Sequence, residues 1–416
     1  MTTSSTSAGP AAAVPLRHDA SVIGLVGLAH LISHYSQLLL APLFPWLKEA
    51  FNVSYAELGF LMTVFFVVSC AVQALSGFVV DRFGPRPILF GGLALLGIAA
   101  FGYSISSSYW MMAGFAALAG VGNGVFHPVD YTLLNRKISP SRLGHAYSVH
   151  GITGSLGWAL APAMLVPIAL AFSWRVALAC AGVLILLVLA VLIFNRSHLA
   201  LAAVPHAKTD GNAASAGSLD FLKIPAVWMC FAFFFFYAMA LSVVQAFAPE
   251  AARQLHGIPL ALVAACLTTY MVCSAGGMVL GGFLASKPEN CERIVGAGFA
   301  LAAGIALVIG FAGFSDASGV IVLMLFGAMG FATGIAGPSR DLLVKRSTPA
   351  NATGRVYGVV YAGLDIGQAV APLIFGTLMD QKQYAGVWLG LVIVQGVLIV
   401  SAFNVRRVRR VALVAA

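Results

Sequence analysis

Ionisable and amide side chains interrupt several long apolar stretches of the sequence. In hydrocarbon an ionisable side chain costs about 2.5–3.5 kcal/mol on insertion scales, so each one is a candidate for function. These polar side chains are His30, His34, Gln37, Asn123, His127, Asp130, His150, Gln245, Asp365 and Gln368. Histidine exchanges protons near neutral pH, and a carboxylate in apolar surroundings changes its protonation when water or a cation reaches it. These residue types therefore indicate proton handling and contact with a polar solute.

The spacing of these side chains places two sets of them on single helical faces. Steps of four and three residues return to the same face of a helix. Such steps join His30, His34 and Gln37, and likewise Asn123, His127 and Asp130. At 1.5 Å per residue, His34 and Asp365 lie about 16–18 Å from one end of their predicted spans, near the bilayer centre. We therefore predict that Asp365 and His34 handle the coupling proton. The predicted lining of the solute cavity is His30, Gln37, Asn123, His127, His150, Gln245 and Gln368.

These polar residues also have structural interpretations. Membrane helices use histidine as an interhelical hydrogen-bond donor, which accounts for a given histidine as well as a solute contact does. Asp130 lies near the end of its predicted span, where we expect it to pair with Arg82 or Arg86 and to act in gating. His30 and His34 have the spacing of metal ligands, but no cluster of Glu or Cys accompanies them. The sequence therefore predicts no metal and no cofactor.

The composition requires that these residues lie in membrane-spanning helices. Hydrophobic residues make up 60% of the chain and charged residues 9%, which excludes a soluble globular protein. A spanning helix needs about 20 apolar residues to cross about 30 Å of hydrocarbon. Twelve such stretches are predicted, at 22–46, 57–80, 87–105, 109–132, 143–170, 173–194, 224–249, 258–284, 293–314, 318–339, 354–378 and 384–404. The predicted fold class is an all-α membrane protein with twelve transmembrane helices.

The basic residues predict the orientation of these helices. The formal net charge is +9, but 19 of the 23 lysines and arginines fall in segments predicted on one side of the membrane. This asymmetry follows the positive-inside rule and argues against a nucleic-acid partner. It predicts a protein of the cell inner membrane with both termini in the cytoplasm. The N-terminal residues 1–21 are predicted to be a disordered tail, and residues 405–416 a basic cytoplasmic tail that anchors the orientation or contacts anionic lipid.

The chain carries an internal repeat. An offset of 210 residues aligns Gly120 with Gly330, Gly124 with Gly334, Gly157 with Gly367, and Pro162 with Pro372. Agreement at Gly and Pro indicates a duplicated six-helix unit. The two bundles are predicted at 22–194 and 224–404, joined by a cytoplasmic linker at 195–223. Two similar bundles can rock about a site between them, which is the motion of alternating access.

The turn between the second and third predicted spans carries a short signature. It reads Gly77-Phe78-Val79-Val80-Asp81-Arg82-Phe83-Gly84-Pro85-Arg86. The positions of Gly77, Asp81, Arg82, Gly84 and Arg86 resemble the loop signature of the major facilitator superfamily. With the helix count and the repeat, this resemblance implies the major facilitator fold of two pseudo-symmetric six-helix bundles. It also implies that these five residues form a latch that acts in gating. Asp81 is placed to accept hydrogen bonds from amides at the start of the next helix.

Three further segments resemble the fosmidomycin-resistance-type exporters of that superfamily, at 29–37, 122–128 and 154–162. Two positions depart from the group, because Ser33-His34 replaces an Asn-Asp pair and Val129 replaces a Glu. The resemblance implies proton-coupled efflux of a small organic solute, and we expect a monomer to be functional. Proton-coupled uptake of a small organic acid or sugar is the alternative. A membrane enzyme or sensor is disfavoured, because the sequence has no nucleophile–base constellation and no soluble output domain.

Overall fold

The computed structural model describes residues 16–201, 225–285, 290–313, 318–347 and 353–414, and this part of the chain contains helices and turns but no strand. The α-helices are α1 (Leu16–Gln37), α2 (Phe44–Phe51), α3 (Tyr55–Phe83), α4 (Pro85–Ile105), α5 (Tyr109–Asn123), α6 (Phe126–Lys137), α7 (Leu143–Ala171), α8 (Trp174–Phe194), α9 (Pro225–Ala246), α10 (Ala248–His256), α11 (Leu260–Leu284), α12 (Cys291–Phe311), α13 (Ser318–Ser347), α14 (Thr353–Asp380) and α15 (Tyr384–Val414). Eleven helical segments of the described chain are long and apolar enough to span a membrane. The remaining predicted span, 109–132, is divided between α5 and α6. The all-α class is as predicted.

A proline lies at or just after each interruption of a predicted span. The ring of Pro128 would clash with the carbonyl group four residues earlier, at Gly124, and proline has no N–H to donate. The helix is interrupted at Gly124 and Val125, between α5 and α6, and Pro128 lies in the first turn of α6. In the first predicted span, 22–46, Pro42 lies in a short 3₁₀ turn between α1 and α2. Each interruption turns a span that was expected to be continuous into two helical segments.

The helices extend beyond two of the predicted boundaries. α1 begins at Leu16, so the predicted disordered tail 1–21 is wrong for its last residues, and residues 1–15 lie outside the described chain. α15 continues to Val414, so the predicted tail 405–416 is helical up to that residue. The added helical residues include no Gly or Pro, so no residue type in them stops a helix.

The start of the predicted linker 195–223 is packed against the N-terminal bundle. Leu199 is buried, and Lys137 donates from Nζ to the carbonyl oxygen of Ala200 at 2.6 Å. The linker from residue 202 onward lies outside the described chain. The segment that leaves α8 is therefore fixed to the end of α6 before the chain crosses to the second half.

The helices form two bundles that meet along two helix pairs. In α1–α8 the most extensive contacts are between α1 and α7 and between α4 and α8, and in α9–α15 they are between α11 and α13 and between α9 and α14. The bundles contact each other through α3 with α14 and through α7 with α11. We call the side on which α3 turns into α4 the α3–α4 face, and the opposite side the α2–α10 face. The two interfaces leave room for a cavity between the bundles.

Glycines of the internal repeat occupy equivalent close contacts in the two bundles. A Cβ atom at Gly120 would lie 2.5 Å from the carbonyl oxygen of Phe65, and one at Gly330 would clash with the carbonyl oxygen of Tyr270. The same relation joins Gly124 to Ser69, Gly334 to Ser274, Gly157 to Leu31, and Gly367 to Phe235. Small residues let membrane helices approach closely. The repeat therefore fixes the helix spacing within each bundle.

Replacing Gly334 by Ala is expected to destabilise the protein. The added methyl group would clash with the carbonyl oxygen of Ser274, so α11 and α13 must separate, and such overpacking costs about 1–3 kcal/mol. Gly276→Ala on α11 is the matched control, because no atom lies within 4 Å of a Cβ there and Ala favours the helix by up to about 1 kcal/mol. Thermal unfolding in detergent measures the melting temperatures of both variants. Equal melting temperatures for the two variants would contradict this assignment.

Candidate functional site

A cavity of about 900 Å³ lies between the two bundles. It extends from Gln37, Trp158 and Gln368 inside the bundles to His145 and Arg340 near the α3–α4 face. The sequence-predicted site residues that line it are His30, His34, Gln37, His127, His150, Asp365 and Gln368. Both halves therefore contribute predicted residues to one cavity, while their contact with a solute stays a prediction.

Four histidines and one carboxylate meet in the part of the cavity wall that is formed by the N-terminal bundle, α1–α8. His30 Nδ1 and His150 Nε2 each lie 3.1 Å from Asp130 Oδ2, and the Asp130 side chain is fully buried. The His30 ring stacks on His150 at 3.5 Å between centroids and lies 4.3 Å from His34 and 5.6 Å from His127. We call these five residues the histidine cluster. It brings together polar residues of α1, α6 and α7.

Small and aromatic residues of α7 position the histidine cluster. A Cβ atom at Gly154 would lie 2.8 Å from His34 Nδ1 and 3.1 Å from His30 Nε2. Glycine at this position therefore lets α7 approach α1 closely enough for the rings to meet. The ring of Trp158 lies 4.2 Å from that of His34, and its Nε1–H donates to Gln37 Oε1 at 3.0 Å.

Gln73 connects the histidine cluster to the other bundle. His127 Nδ1 lies 3.0 Å from Gln73 Oε1, and Gln73 Nε2 donates to Asp365 Oδ2 at 3.1 Å. Since Gln73 belongs to α3 and Asp365 to α14, this hydrogen bond crosses the interface between bundles. The sequence analysis missed Gln73. The available signal was a single amide side chain inside the apolar span 57–80.

Asn123 is used within the N-terminal bundle and is outside the cavity lining, contrary to the prediction. Its Oδ1 accepts from Ser33 Oγ at 2.8 Å and from Gln37 Nε2 at 3.4 Å, and its Nδ2 donates to Ser69 Oγ at 2.9 Å. These bonds hold α1, α3 and α5 together. An amide that satisfies its hydrogen bonds between helices is the structural alternative for a polar residue in a span.

Gln245 lies away from the large cavity. It lines a separate small pocket near the α2–α10 face, together with Ala41, Pro162 and Glu250. The prediction that Gln245 lines the same cavity as Gln368 is therefore wrong for this conformation. Gln245 lies at the end of α9, next to the start of α10, whereas Gln368 lies in the interior of α14.

The predicted latch residues lie at the α3–α4 face. Gly84 ends α3 with φ +81° and donates its N–H to the carbonyl oxygen of Val80 at 2.8 Å, a conformation that favours glycine. Asp81 is exposed, and no side chain caps the N-terminus of α4, so the expected capping by Asp81 is wrong. A Cβ atom at Gly77 would meet nothing within 4 Å, so close packing does not require glycine there.

The expected pairing of Asp130 with Arg82 or Arg86 is also wrong. Asp130 contacts His30 and His150 instead, because α6 turns this carboxylate toward α1 and α7. Arg82 is exposed and Arg86 is half-buried. The gating role of these three residues stays a prediction.

The α2–α10 face is closed by contacts between the bundles. Asp380, the last residue of α14, accepts from the backbone N–H groups of Tyr55 and Ala56 at 2.7 and 2.9 Å, in the first turn of α3. Lys48 Nζ lies 3.8 Å from the same carboxylate, and Tyr55 Oη donates to Glu250 at 3.3 Å. The sequence analysis missed these residues. The available signal was that Asp380 is an acidic residue at a helix C-terminus, where the dipole of its own helix disfavours a negative charge.

Known proteins identify the family. The Major Facilitator Superfamily pattern matches residues 26–372. The fosmidomycin resistance protein of Escherichia coli K12 is 28% identical over 155 residues, which cover 35% of this chain and 36% of that protein. The probable sulfoacetate transporter SauU of Cupriavidus necator H16 is 21% identical over 385 residues, covering 86% of this chain and 87% of SauU.

A solved structure has the same fold. A bacterial homologue of the human lysosomal transporter Spinster superposes with a TM-score of 0.75 at 13% identity, covering 95% of this chain and 98% of that chain. The fold is therefore the predicted major facilitator fold, and the prediction that the chain is not an enzyme agrees with its family. The chain belongs to the major facilitator superfamily and is an integral membrane transporter of a small solute.

Proposed function

We propose that this protein is a proton-coupled transporter that exports a small organic solute from the cytoplasm by alternating access. The observation that carries the proposal is the hydrogen bond from Gln73 Nε2 to Asp365 Oδ2, at 3.1 Å in the wall of the cavity. It places a carboxylate where it contacts both the solute cavity and the opposite bundle.

The charge of Asp365 is linked to the contact between bundles. A deprotonated carboxylate accepts a charge-assisted hydrogen bond from the Gln73 amide, and such a bond is roughly twice as strong as a neutral one. Protonation removes the charge and weakens the bond. Proton binding therefore favours separation of α3 from α14, and separation favours proton binding. The proposal rests on Asp365, because no hydrogen bond or ion pair in the described chain joins it to His34.

In the described part of the chain, the cavity is accessible from only one of the two faces in this conformation. The α2–α10 face is closed by Asp380 and Tyr55, whereas the cavity reaches residues near the α3–α4 face. With both termini in the cytoplasm, as the basic residues predict, the α3–α4 face is cytoplasmic, and an exporter would load its solute from that side. The match to the fosmidomycin resistance protein, over 36% of that protein, favours export over uptake, because export of a toxic compound confers resistance.

Uptake of a small organic anion is the second candidate. The guanidinium group of Arg340 lies 4.2 Å from the ring of Tyr237, and both residues line the cavity. A cation held on an aromatic ring is suited to bind a carboxylate or sulfonate group. The relative matched over most of its length is a probable sulfoacetate transporter.

Flux into liposomes under an imposed pH difference tests the proposal. Purified protein is reconstituted, and uptake of radiolabelled fosmidomycin and sulfoacetate is followed with the lumen acidic or alkaline. Antiport accumulates solute in an acidic lumen and symport in an alkaline one, whichever way the protein is inserted. With the membrane potential held at zero, the limit for one proton per solute is about tenfold per pH unit. Equal uptake under both gradients by a transported solute would exclude proton coupling.

A further inference from the structure

Three histidines of the cavity wall converge on one point. The ligating nitrogens of His30, His34 and His127 all lie within 4.8 Å of one another, and all three residues line the cavity. We propose that they bind a divalent late first-row transition-metal ion, such as Zn²⁺, Co²⁺ or Ni²⁺. The sequence predicted no metal because His30 and His34 lack neighbouring acidic or cysteine ligands. The fold supplies the missing ligand from α6 and an acidic partner, Asp130.

Hydrogen bonds at Nδ1 set the tautomers of His30 and His127. His30 Nδ1 lies 3.1 Å from Asp130 Oδ2, so a proton on Nδ1 leaves Nε2 as a ligand. Gln73 donates through Nε2 to Asp365, which assigns its Oε1 as the acceptor from His127 Nδ1 at 3.0 Å. The network therefore assigns the lone pair of His127 to Nε2 as well.

His34 supplies the third ligand. Its Nδ1 is buried and makes no hydrogen bond of good geometry among the described residues, although the Gly154 backbone lies close enough to interact with the ring. A Cβ atom at Gly154 would lie 2.8 Å from this nitrogen and 3.1 Å from His30 Nε2, so the two atoms face the same small space. An unpartnered buried imidazole nitrogen has a desolvation cost that a metal ion would remove.

The surroundings suit a cation with nitrogen ligands. Asp130 contacts His30 and His150, which is the arrangement of a carboxylate that orients a metal-binding histidine and adds negative charge. Imidazole favours Zn²⁺, Co²⁺ and Ni²⁺ over Mg²⁺ and Ca²⁺. Tetrahedral nitrogens at about 2.0–2.1 Å from Zn²⁺ are about 3.3 Å apart, so small side-chain rotations would complete the site. Three protein ligands leave the fourth position for water or an anionic group of a solute in the cavity.

Cobalt binding by the full-length protein tests this site. The protein is purified, its affinity tag is removed, and Co²⁺ is titrated in detergent without a pH gradient, so the result does not depend on proton coupling. We expect one Co²⁺ per chain, the visible absorption of tetrahedral Co²⁺ and competition by Zn²⁺. Absence of saturable binding by the wild-type protein would overturn the proposal.

Histidine-to-glutamine variants locate the bound ion. His34→Gln and His127→Gln should each weaken Co²⁺ binding by at least about tenfold, because even changes outside the ligand shell cost about 10–100-fold. His145→Gln is the matched control, since His145 is exposed in the same cavity and lies outside the histidine cluster. Gel filtration and thermal unfolding identify the variants that are folded. A folded His34→Gln or His127→Gln protein that binds Co²⁺ as tightly as His145→Gln would overturn the assignment.

Discussion

Replacing Asp365 by Asn is expected to reduce gradient-driven solute accumulation by up to about tenfold at a difference of one pH unit, which is the limit for one proton per solute. The introduced amide would keep an oxygen that accepts from Gln73, so the contact at 3.1 Å between α3 and α14 has a replacement. The amide does not take up or release a proton. Solute exchange without a gradient should therefore continue at a rate within a few-fold of the wild-type protein. Accumulation and counterflow in the same liposomes measure both quantities.

Glu49→Gln is the matched control for Asp365→Asn. It also converts a carboxylate to an amide, but Glu49 is exposed on α2 and is outside the cavity. Its accumulation and exchange should equal those of the wild-type protein. If Asp365→Asn accumulates solute as well as Glu49→Gln does, Asp365 is not the coupling group. Loss of both accumulation and exchange would instead assign Asp365 a role in solute binding or in folding.

The sequence predicted the spans better than their interruptions. Apolar runs about 20 residues long carry the information for a membrane helix, because the thickness of hydrocarbon sets their length. A proline accompanies both interruptions, since it donates no N–H to the carbonyl group four residues before it. A proline alone does not predict a break, however, because Pro162, Pro338 and Pro372 lie inside unbroken helices. Counting apolar residues overlooks this local effect. The consequence matters at α6, because the break precedes His127 and Asp130.

The partners of the polar residues were harder to predict. Spacing within one helix placed His30 with His34, as found, but the contact of His30 with Asp130 depends on how α1 is rotated against α6. Rotation and depth of neighbouring helices follow from side-chain packing, such as the close approach at Gly154, and a single sequence does not specify them. Asp130 was therefore assigned to nearby arginines on depth alone.

The position of Asp380 explains why its role was missed. It ends α14, so it reads as a boundary residue that merely faces water. In the fold it binds the amides of Tyr55 and Ala56 at the start of another helix, where the helix dipole favours an anion. The glycines of the repeat, by contrast, lie at close helix contacts in both bundles, because close approach restricts the residue type.

Replacing Asp380 by Ala is expected to open the α2–α10 face. The carboxylate joins the bundles through the N–H groups of Tyr55 and Ala56, and a hydrogen bond to a charged group contributes about 1.5–3 kcal/mol. Loss of both hydrogen bonds should raise the fraction of molecules that are open at this face by at least about tenfold, since 1.4 kcal/mol is a factor of ten. Spin labels at Ser107 and Gln381, in a protein whose native cysteines are replaced by serine, measure the distance across this face.

The change in the distance between the spin labels shows whether Asp380 holds the α2–α10 face closed or only stabilises the fold. The two amides belong to α3 and the carboxylate to α14, so any motion that opens the α2–α10 face must break these bonds. Thr377→Ala is the control one turn earlier, because the Thr377 hydroxyl group is exposed and bonds only the Leu373 carbonyl oxygen of its own helix. Distance distributions that are the same for Asp380→Ala and Thr377→Ala would mean that Asp380 does not hold this face closed. A longer distance in Asp380→Ala alone, with faster labelling of residues at this face, is the expected result.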